Sequence, residues 1–263
     1  MKNIDAHSHW SDPRLFARED IDQLLQKSFD KNIDFFLLGG INPEEWENQF
    51  ALKKKHPDHF GLCLGLHPYF VAANEVEVCE QGLDLLVQKL PGAMALGEAG
   101  LDFRPHIMKD SELLQIEMFE NQIEIAKAFM KPMVLHIVQA HEKAGRIFDM
   151  WQAPERGGFV HAFTGSFETA KKYIQNGFLI SVGAAVTFEK NAKLQDCVRL
   201  IPLEYLLIES DSPDQAPAGW PQGELNDSSA LFQIAEKIGL IRHLSAFDVL
   251  EITNSNFKRL FRL

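Results

Sequence analysis

The stretch SELLQIEMFENQIEIAKAFMKPMVLH, residues 111–136, joins two apolar patterns that require different secondary structures. In its first part, apolar side chains such as Leu114, Met118 and Ile123 recur at helical spacing. Pro132 cannot continue that helix, and the short apolar run that follows it is typical of a buried strand. A helix that leads directly into a buried strand indicates an α/β fold.

The same alternation extends in both directions along the chain. Apolar, β-branched or aromatic runs predict strands at residues 3–7, 33–38, 60–65, 93–97, 132–136, 157–161, 178–182 and 205–209. Amphipathic segments predict helices at residues 14–31, 43–56, 79–89, 111–130, 140–151, 167–176 and 190–200. This pattern predicts a closed parallel (β/α)8 TIM barrel, with residues 1–263 as a single domain. The alternative is a doubly wound open sheet, but the sequence has neither of the glycine-rich phosphate loops GxGxxG and GxxxxGK[ST].

Composition and charge restrict the class of protein. Apolar residues make up 46% and charged residues 24% of the chain, which is typical of a folded protein with a large core. The net charge of −11 argues against a protein that coats duplex nucleic acid by neutralising phosphates. The polar start MKNIDAHSHW, the absence of a long apolar run and three cysteines without a CxxC pair predict a cytoplasmic protein with no membrane contact. Nothing in the sequence implies an obligate protein partner.

Side chains suited to metal binding recur where the predicted strands end. They are His7, His9, Glu98, His136, His161 and Asp211. In a parallel barrel the carboxyl ends of the strands converge on one face, so these side chains are expected to meet there. In the motif DAHSH, His7 and His9 share one face of an extended strand, and Asp5 on that face is expected to support a ligand or the strand end. Each residue alone has an ordinary structural explanation, but six in register with one barrel predict a metal site.

The chemistry of this set narrows the choice of metal. Imidazole and carboxylate ligands without thiolate favour Mg²⁺, Mn²⁺ or Zn²⁺. Six ligands exceed what one catalytic ion with an open position needs, so we expect two divalent ions ~3.5–4 Å apart, bridged by Glu98. Asp211 is the expected general base for an attacking water, which makes Glu98 and Asp211 the predicted catalytic residues.

Six short motifs extend this interpretation to a family. They are DAHSH (5–9), GLHP (65–68), GEAGLD (97–102), LH (135–136), HAFTGS (161–166) and ESDSP (209–213). Together they resemble the serial motifs of the TatD family of metal-dependent deoxyribonucleases, and residues 212–226 resemble its YjjV-type branch. The resemblance implies an amidohydrolase-like TIM barrel with two divalent ions on the same six residues. It also implies Mg²⁺- or Mn²⁺-dependent hydrolysis of DNA phosphodiester bonds, with single strands or ends as the substrate.

The chain departs from the family pattern where a phosphate would be bound. Tyr69 replaces a histidine, Val138 stands where an arginine is common, and residues 226–228 replace an NxP motif. Loss of that arginine removes a planar donor suited to phosphate oxygens. The candidate substrate-binding residues are His67, Tyr69, Arg104 and Glu209. Arg104 is expected either to supply the missing cation or to pair with an acid, and Trp220 either to stack a base or to pack on the barrel.

Three functions therefore remain open from the sequence. The first is a deoxyribonuclease, and the second is a hydrolase of a non-nucleic-acid phosphoester, a lactone or an aminoacyl ester on the same two ions. The third is a binding protein without activity. The complete ligand set weighs against the third, because burying so many ionisable groups without a cation is costly.

Overall fold

The computed structural model describes residues 2–16 and 20–263, and its centre is an eight-stranded parallel sheet. The strands are β1 (Asn3–Ser8), β2 (Ile33–Leu38), β3 (Phe60–Leu64), β4 (Ala95–Asp102), β5 (Met133–Val138), β6 (Gly158–Val160), β7 (Phe178–Val182) and β8 (Leu206–Ile208). Each strand pairs in parallel with the next one along the chain. Beyond the paired strands, backbone hydrogen bonds from His9 to Ser212 (2.7 Å) and from Asp211 to His7 (3.0 Å) bring the first and last strands together. The predicted (β/α)8 barrel is therefore confirmed.

Helices lie between the strands and after the last one. They are α1 (Pro13–Phe16), α2 (Ile21–Asp30), α3 (Pro43–Lys55), α4 (Pro68–Ala73), α5 (Val76–Lys89), α6 (Pro105–Met108), α7 (Glu112–Ala128), α8 (His141–Trp151), α9 (Phe167–Gln175), α10 (Ala192–Leu200), α11 (Ala230–Arg242) and α12 (Ala246–Phe261). The long helix predicted at residues 111–130 is α7, and the prediction at 43–56 is α3. In the part of the chain that the structure describes, no helix is both long enough and apolar enough to cross a membrane.

The prediction of one helix over residues 14–31 was wrong. Asp20 has extended backbone angles, and its side chain accepts a hydrogen bond from the backbone N–H of Asp22. An aspartate that caps a helix in this way satisfies one of the free N–H groups at the start of the helix, so α2 begins at Ile21. The preceding helix is the short α1, and residues 17–19 of the predicted segment lie outside the described residues.

Strand β4 is longer than predicted and begins later, at Ala95 rather than residue 93. It continues through Glu98 to Asp102, and every residue in it is buried. Gly100 pairs with His136 of β5, and a Cβ atom at Gly100 would lie 2.1 Å from the carbonyl oxygen of His136. The small residues beyond the predicted strand end at residue 97 therefore belong to a central strand, because they allow its neighbours to approach closely.

The buried apolar side chains form two clusters separated by the sheet. The inner cluster contains Ile4, Ala6, Leu37, Cys63, Ala95, Val134, Phe159, Leu179, Leu207 and Phe257. Every strand contributes to it, as expected for the interior of a barrel filled by inward-facing side chains. Phe257 comes from α12 and packs against Phe35 of β2 with ring centroids 5.8 Å apart. The larger cluster joins the outer face of the strands to the helices.

Replacement of Phe159 by alanine is expected to lower the free energy of unfolding by about 3–5 kcal/mol, because the ring is fully buried and its removal leaves a cavity. Urea denaturation followed by circular dichroism would measure the change. Leu113→Ala on α7 is the control, since that side chain is 81% exposed and its loss should change stability by about 0.5 kcal/mol or less. Equal effects of the two substitutions would contradict the barrel interior described here.

Candidate metal centre

The six predicted ligands lie together at the carboxyl ends of the strands, on five segments of the barrel and its loops. His7 lies in β1 and His9 directly follows it, Glu98 lies in β4, His136 in β5, His161 directly after β6 and Asp211 shortly after β8. The side chain of His136 is mostly buried, and those of the other five residues are buried. The barrel therefore brings together residues that are up to about 200 positions apart in the chain. Their role as metal ligands stays a prediction, and the distances between their ligand atoms indicate how they would be grouped.

One oxygen of Glu98 faces the residues of the first strand. Its Oε1 lies 3.3 Å from Nε2 of His7 and 3.5 Å from Nε2 of His9. Oδ1 of Asp211 lies 3.7 and 3.3 Å from the same two nitrogen atoms. These four side chains present their ligand atoms to a common point, and three of them form one of the groups whose geometry suits a metal ion.

The other oxygen of Glu98 faces the histidines of the fifth and sixth strands. Its Oε2 lies 2.9 Å from Nε2 of His161 and 3.7 Å from Nδ1 of His136. Those two nitrogen atoms are 3.0 Å apart. Glu98 therefore stands between two groups of ligand atoms, one for each of its oxygens, as a carboxylate that bridges two cations must.

Unsatisfied polar atoms at the centre of the cluster test whether a cation fits. Nε2 of His7, Oε1 of Glu98 and Oδ1 of Asp211 are all buried without a hydrogen-bond partner. Buried polar atoms are rarely left without partners, because desolvation of each one is costly. Space around them is kept by Gly39, where a Cβ atom would lie 2.5 Å from the His7 ring and 2.8 Å from Glu98 Oε1. The lone pairs of these atoms converge on a space that a side chain at position 39 would fill. A divalent cation requires such a set of converging lone pairs as its ligands.

The pKa values of the ligands point the same way. Burial lowers the pKa of His9, but the hydrogen bond and charge of Asp211, with the charge of Glu98, raise it to about 10. Although burial opposes ionisation, the facing imidazoles hold the pKa of Glu98 and that of Asp211 well below their usual ranges. Without a cation, protons on imidazole therefore balance the two carboxylates, and a cation that binds must displace them.

Of the four predicted substrate-binding residues, two lie at the entrance of the centre. Tyr69 is 40% exposed, and its hydroxyl oxygen accepts a hydrogen bond from the guanidinium of Arg104. Arg104 also donates two hydrogen bonds to Asp102, at 2.9 and 2.6 Å. The guanidinium of Arg104 is therefore paired with a carboxylate, which is one of the two alternatives expected from the sequence.

His67 and Glu209, the other two, lie deeper. His67 is buried, and its Nε2 lies 3.7 Å from Oε2 of Glu98. Its Nδ1 accepts a hydrogen bond from the backbone N–H of Tyr69 at 3.0 Å and so caps helix α4. Glu209 is fully buried, with Oε1 3.6 Å from Nδ1 of His161, and Ser181 donates a hydrogen bond to its other oxygen.

A cavity of about 620 Å³ opens above the ligands. Among the described residues that line it, the arginines are Arg14 and Arg104, and no lysine lines it. Arg14 bonds to Asp12 and to Asp214, each at 2.7 Å, so it connects the loop after β1 to the loop after β8. The wall beside His136 contains the apolar side chain of Val138.

Asp5 and Trp220 each have one of the two roles expected from the sequence. Asp5 supports the strand end, because its carboxylate accepts hydrogen bonds from the backbone N–H and hydroxyl of Ser210 and from the hydroxyl of Ser228. Trp220 packs against the barrel core and donates its indole N–H to the carbonyl oxygen of Leu225 at 3.2 Å, which is the second of its two alternatives.

The sequence analysis gave no role to Asp102, although it lies inside a motif that was recognised. Asp102 is fully buried, and its Oδ2 lies 3.0 Å from Nε2 of His136. Glu98 and Asp102 are four residues apart and therefore share one face of β4. This even spacing was the signal that would have placed Asp102 beside the metal centre.

Comparisons with known proteins agree with this geometry. A protein of Buchnera aphidicola described as a metal-dependent hydrolase is 32% identical over 99% of both chains. A protein of Rahnella sp. named 3′-5′ ssDNA/RNA exonuclease TatD is 28% identical over 92% of each chain. The crystal structure of YjjV, a TatD homologue from Escherichia coli K12, superposes with a TM-score of 0.88 at 27% identity and covers 99% of this chain and 98% of the other.

The sequence profile described as TatD related DNase matches residues 4–262, which include all six predicted ligands and both ends of the barrel. Several relatives that align with 99% of this chain are described as metal-dependent hydrolases. The chain therefore belongs to the TatD family and is a metal-dependent hydrolase of that family.

Proposed function

We propose that this protein is a deoxyribonuclease that hydrolyses phosphodiester bonds at the ends of single-stranded DNA, with two divalent ions bound to the six predicted ligands. The observation that carries the proposal is the position of Glu98, whose two oxygens each face a separate group of ligand atoms below an open cavity. The name of the Rahnella relative, an exonuclease of single-stranded DNA and RNA, supports the choice of substrate.

The ligands divide between the two oxygens of Glu98. His7, His9 and Asp211 would hold one ion with Oε1, and His136 and His161 the other with Oε2. When bound, Mg²⁺, Mn²⁺ or Zn²⁺ supplies Lewis acidity that polarises the phosphoryl group and makes an attacking water more acidic.

Asp211 accepts the proton of the attacking water in this proposal. Its Oδ2 accepts a hydrogen bond from the side chain of Gln215, and its Oδ1 has no partner and faces His7 and His9. The carboxylate is therefore held by Oδ2, and Oδ1 faces the position where the ion, and the water that the ion would bind, would lie. The facing imidazoles keep its pKa low, so the group is ionised and able to accept a proton at neutral pH.

His67 donates a hydrogen bond to the oxygen on which negative charge develops. Because Nδ1 accepts the N–H of Tyr69, that nitrogen carries no proton, and the proton of the neutral ring is on Nε2. The ring of His67 lines the cavity, and its Nε2, 3.7 Å from Oε2 of Glu98, offers an N–H to the reacting group. A fixed donor of this kind acts without reorganisation when charge develops.

The direct test is hydrolysis of end-labelled single-stranded DNA by protein loaded with Mn²⁺, Mg²⁺ or Zn²⁺. RNA of the same sequence, a chromogenic phosphodiester and a panel of lactones and aminoacyl esters complete the substrates. We expect stepwise shortening of DNA from one end, and Asp211→Asn protein purified in parallel controls for contaminating nuclease. Absence of nucleic acid cleavage under all three metals would reject the proposed substrate.

A second candidate, hydrolysis of a small non-nucleic-acid ester, is favoured by one feature of the cavity. Both arginines that line it are already paired with carboxylates, Arg14 with Asp12 and Asp214, and Arg104 with Asp102. Phosphates that flank the scissile bond of a strand therefore meet few uncompensated cations. Turnover of a small ester without cleavage of DNA in the same assay would select this function.

Replacement of His67 by asparagine is expected to lower kcat by about 10²-fold, because the Nε2–H donor is lost. Asparagine is a good helix-capping residue, so α4 should stay intact. Ion content, measured by atomic emission after gel filtration, should be unchanged because a protonated Nε2 is not a ligand. Loss of an ion from this variant would show instead that His67 is a ligand.

A further inference from the structure

Two buried carboxylates outside the ligand set stand behind two of the four ligand imidazoles. Oδ2 of Asp102 lies 3.0 Å from Nε2 of His136, while Nδ1 of the same ring faces His161 at 3.0 Å. Asp102 is fully buried and is held in place by hydrogen bonds from the guanidinium and the backbone N–H of Arg104. The contact therefore determines which nitrogen of His136 is turned toward the centre.

Glu209 occupies the equivalent position behind His161. Its Oε1 lies 3.6 Å from Nδ1 of His161, an ion-pair distance that leaves Nδ1 without a hydrogen bond, and Nε2 of the same ring is 2.9 Å from Oε2 of Glu98. Glu209 is fully buried and is fixed by hydrogen bonds from the hydroxyl of Ser181 at 2.5 Å and from the backbone N–H of Ala162. In the described part of the chain, no lysine or arginine lies within 4.0 Å of its carboxylate, so its charge faces the imidazole.

The two histidines of the first strand lack such support. Nδ1 of His7 and Nδ1 of His9 are buried without a hydrogen-bond partner, and among the described residues no carboxylate other than those of Glu98 and Asp211 lies within 4.0 Å of a nitrogen of either ring. Asp5 is committed to Ser210 and Ser228, as described above. Glu45 influences His9 through its charge, but its two oxygens accept hydrogen bonds from Ser11 (2.7 Å) and from the backbone N–H of Ile41 (3.1 Å).

The two ion positions therefore differ in how their positive charge is balanced. On the side of His7 and His9, Asp211 and one oxygen of Glu98 contribute negative charge directly. On the side of His136 and His161, the single direct contribution is the other oxygen of Glu98. Two neutral imidazoles and one oxygen of a shared carboxylate would provide too little negative charge to balance a divalent ion. The carboxylates of Asp102 and Glu209, behind the two rings, would provide the additional negative charge.

We infer that Asp102 and Glu209 are positioning residues for His136 and His161, and that they determine the affinity of this second ion without determining that of the first. This inference rests on the two-ion arrangement of the proposed function and not on the choice of DNA as substrate. A carboxylate behind a ligand imidazole fixes its tautomer and makes it a stronger base, and loss of such a partner typically lowers metal affinity by about 10–100-fold. Glu209→Gln should have the larger effect, because the charge of Asp102 is partly compensated by Arg104.

Calorimetric titration of ion-free protein with Zn²⁺ tests the inference. Unmodified protein should bind two ions, whereas Glu209→Gln and Asp102→Asn should bind one with unchanged affinity and the other about 10–100-fold more weakly. Glu45→Gln is the matched control, since it also removes a partly buried carboxylate near a ligand histidine but should leave both affinities unchanged. Circular dichroism of the ion-free variants checks that each is folded, and Asp102→Asn provides the same test if Glu209→Gln does not fold.

Absorption spectra of the Co²⁺-loaded variants give a readout that a general loss of stability would not change. We expect loss of the bands of one ion and retention of those of the other. Combination of Glu209→Gln with Asp211→Asn should weaken both ions, because the two substitutions act on different positions. Two ions with unchanged affinity in both single variants would overturn the inference, and a single ion in the unmodified protein would overturn the two-ion arrangement beneath it.

Discussion

Replacement of Asp211 by asparagine is expected to lower kcat by about a thousandfold, because the variant loses the base that accepts the proton of the attacking water. Asparagine keeps the size of the side chain and an oxygen that can accept the hydrogen bond from Gln215. The loop after β8 is also held by hydrogen bonds from Asn226 to the carbonyl oxygens of Ser210 and Asp214, which the substitution does not touch. The fold should therefore survive while turnover is lost.

Steady-state kinetics of the ion-loaded Asp211→Asn variant on its best substrate would measure this loss. Asp214→Asn is the matched control: it lies three residues away in the same loop, its side chain is 56% exposed, and it contacts Arg14 rather than the ligand cluster. We expect the control to keep activity within a few-fold of the unmodified protein. Full activity of Asp211→Asn with both ions bound would reject the proposed base.

Glu98→Gln is expected to have the largest effect of all, a fall in kcat/KM of about 10⁴-fold or more, since it removes the one charge shared by both ion positions. Each oxygen of Glu98 faces a different group of imidazoles, so loss of the charge weakens both groups together. The amide nitrogen of the variant would also turn a hydrogen-bond donor toward one of them. Ion content should fall from two per chain toward zero.

Atomic emission of the purified Glu98→Gln variant, with activity measured after addition of excess Mn²⁺, tests this expectation. The control is again Glu45→Gln, a carboxylate on α3 whose oxygens are committed to Ser11 and Ile41. The control should keep two ions and most of its activity. If Glu98→Gln retained both ions, Glu98 would not be the bridging ligand.

Much of the fold was predictable because the buried strands of a parallel barrel have nearly continuous apolar sequences. The prediction failed where local chemistry decides the outcome. Asp20 caps α2 and so interrupts the predicted helix 14–31, and the small residues around Glu98 extend β4 beyond its predicted end at residue 97. Helix α4 was not predicted because its start depends on the side chain of His67, whose cap is visible only in three dimensions.

The ligand cluster was accessible from the sequence because strand ends in a barrel have a known common location. The residues behind the ligands were harder to assign. Glu209 was selected as a substrate contact because it follows a strand, yet it lies fully buried with its carboxylate near His161; direct contact with substrate stays untested. Asp102 ends the motif GEAGLD, but the motif alone does not predict its contact with His136. A linear motif does not indicate which of its acidic residues faces the metal centre and which contacts the nitrogen of a ligand imidazole that is turned away from that centre.

The contacts between the beginning and the end of the barrel have a consequence for its folding. His7 and His9 belong to the first strand and its loop, and Asp211 follows the last strand. An ion shared by these three side chains, as proposed above, would be a cross-link between segments that are about 200 residues apart in the chain. Such a cross-link would form only when the first and last strands have met, so binding of an ion would stabilise the closed barrel against opening between them.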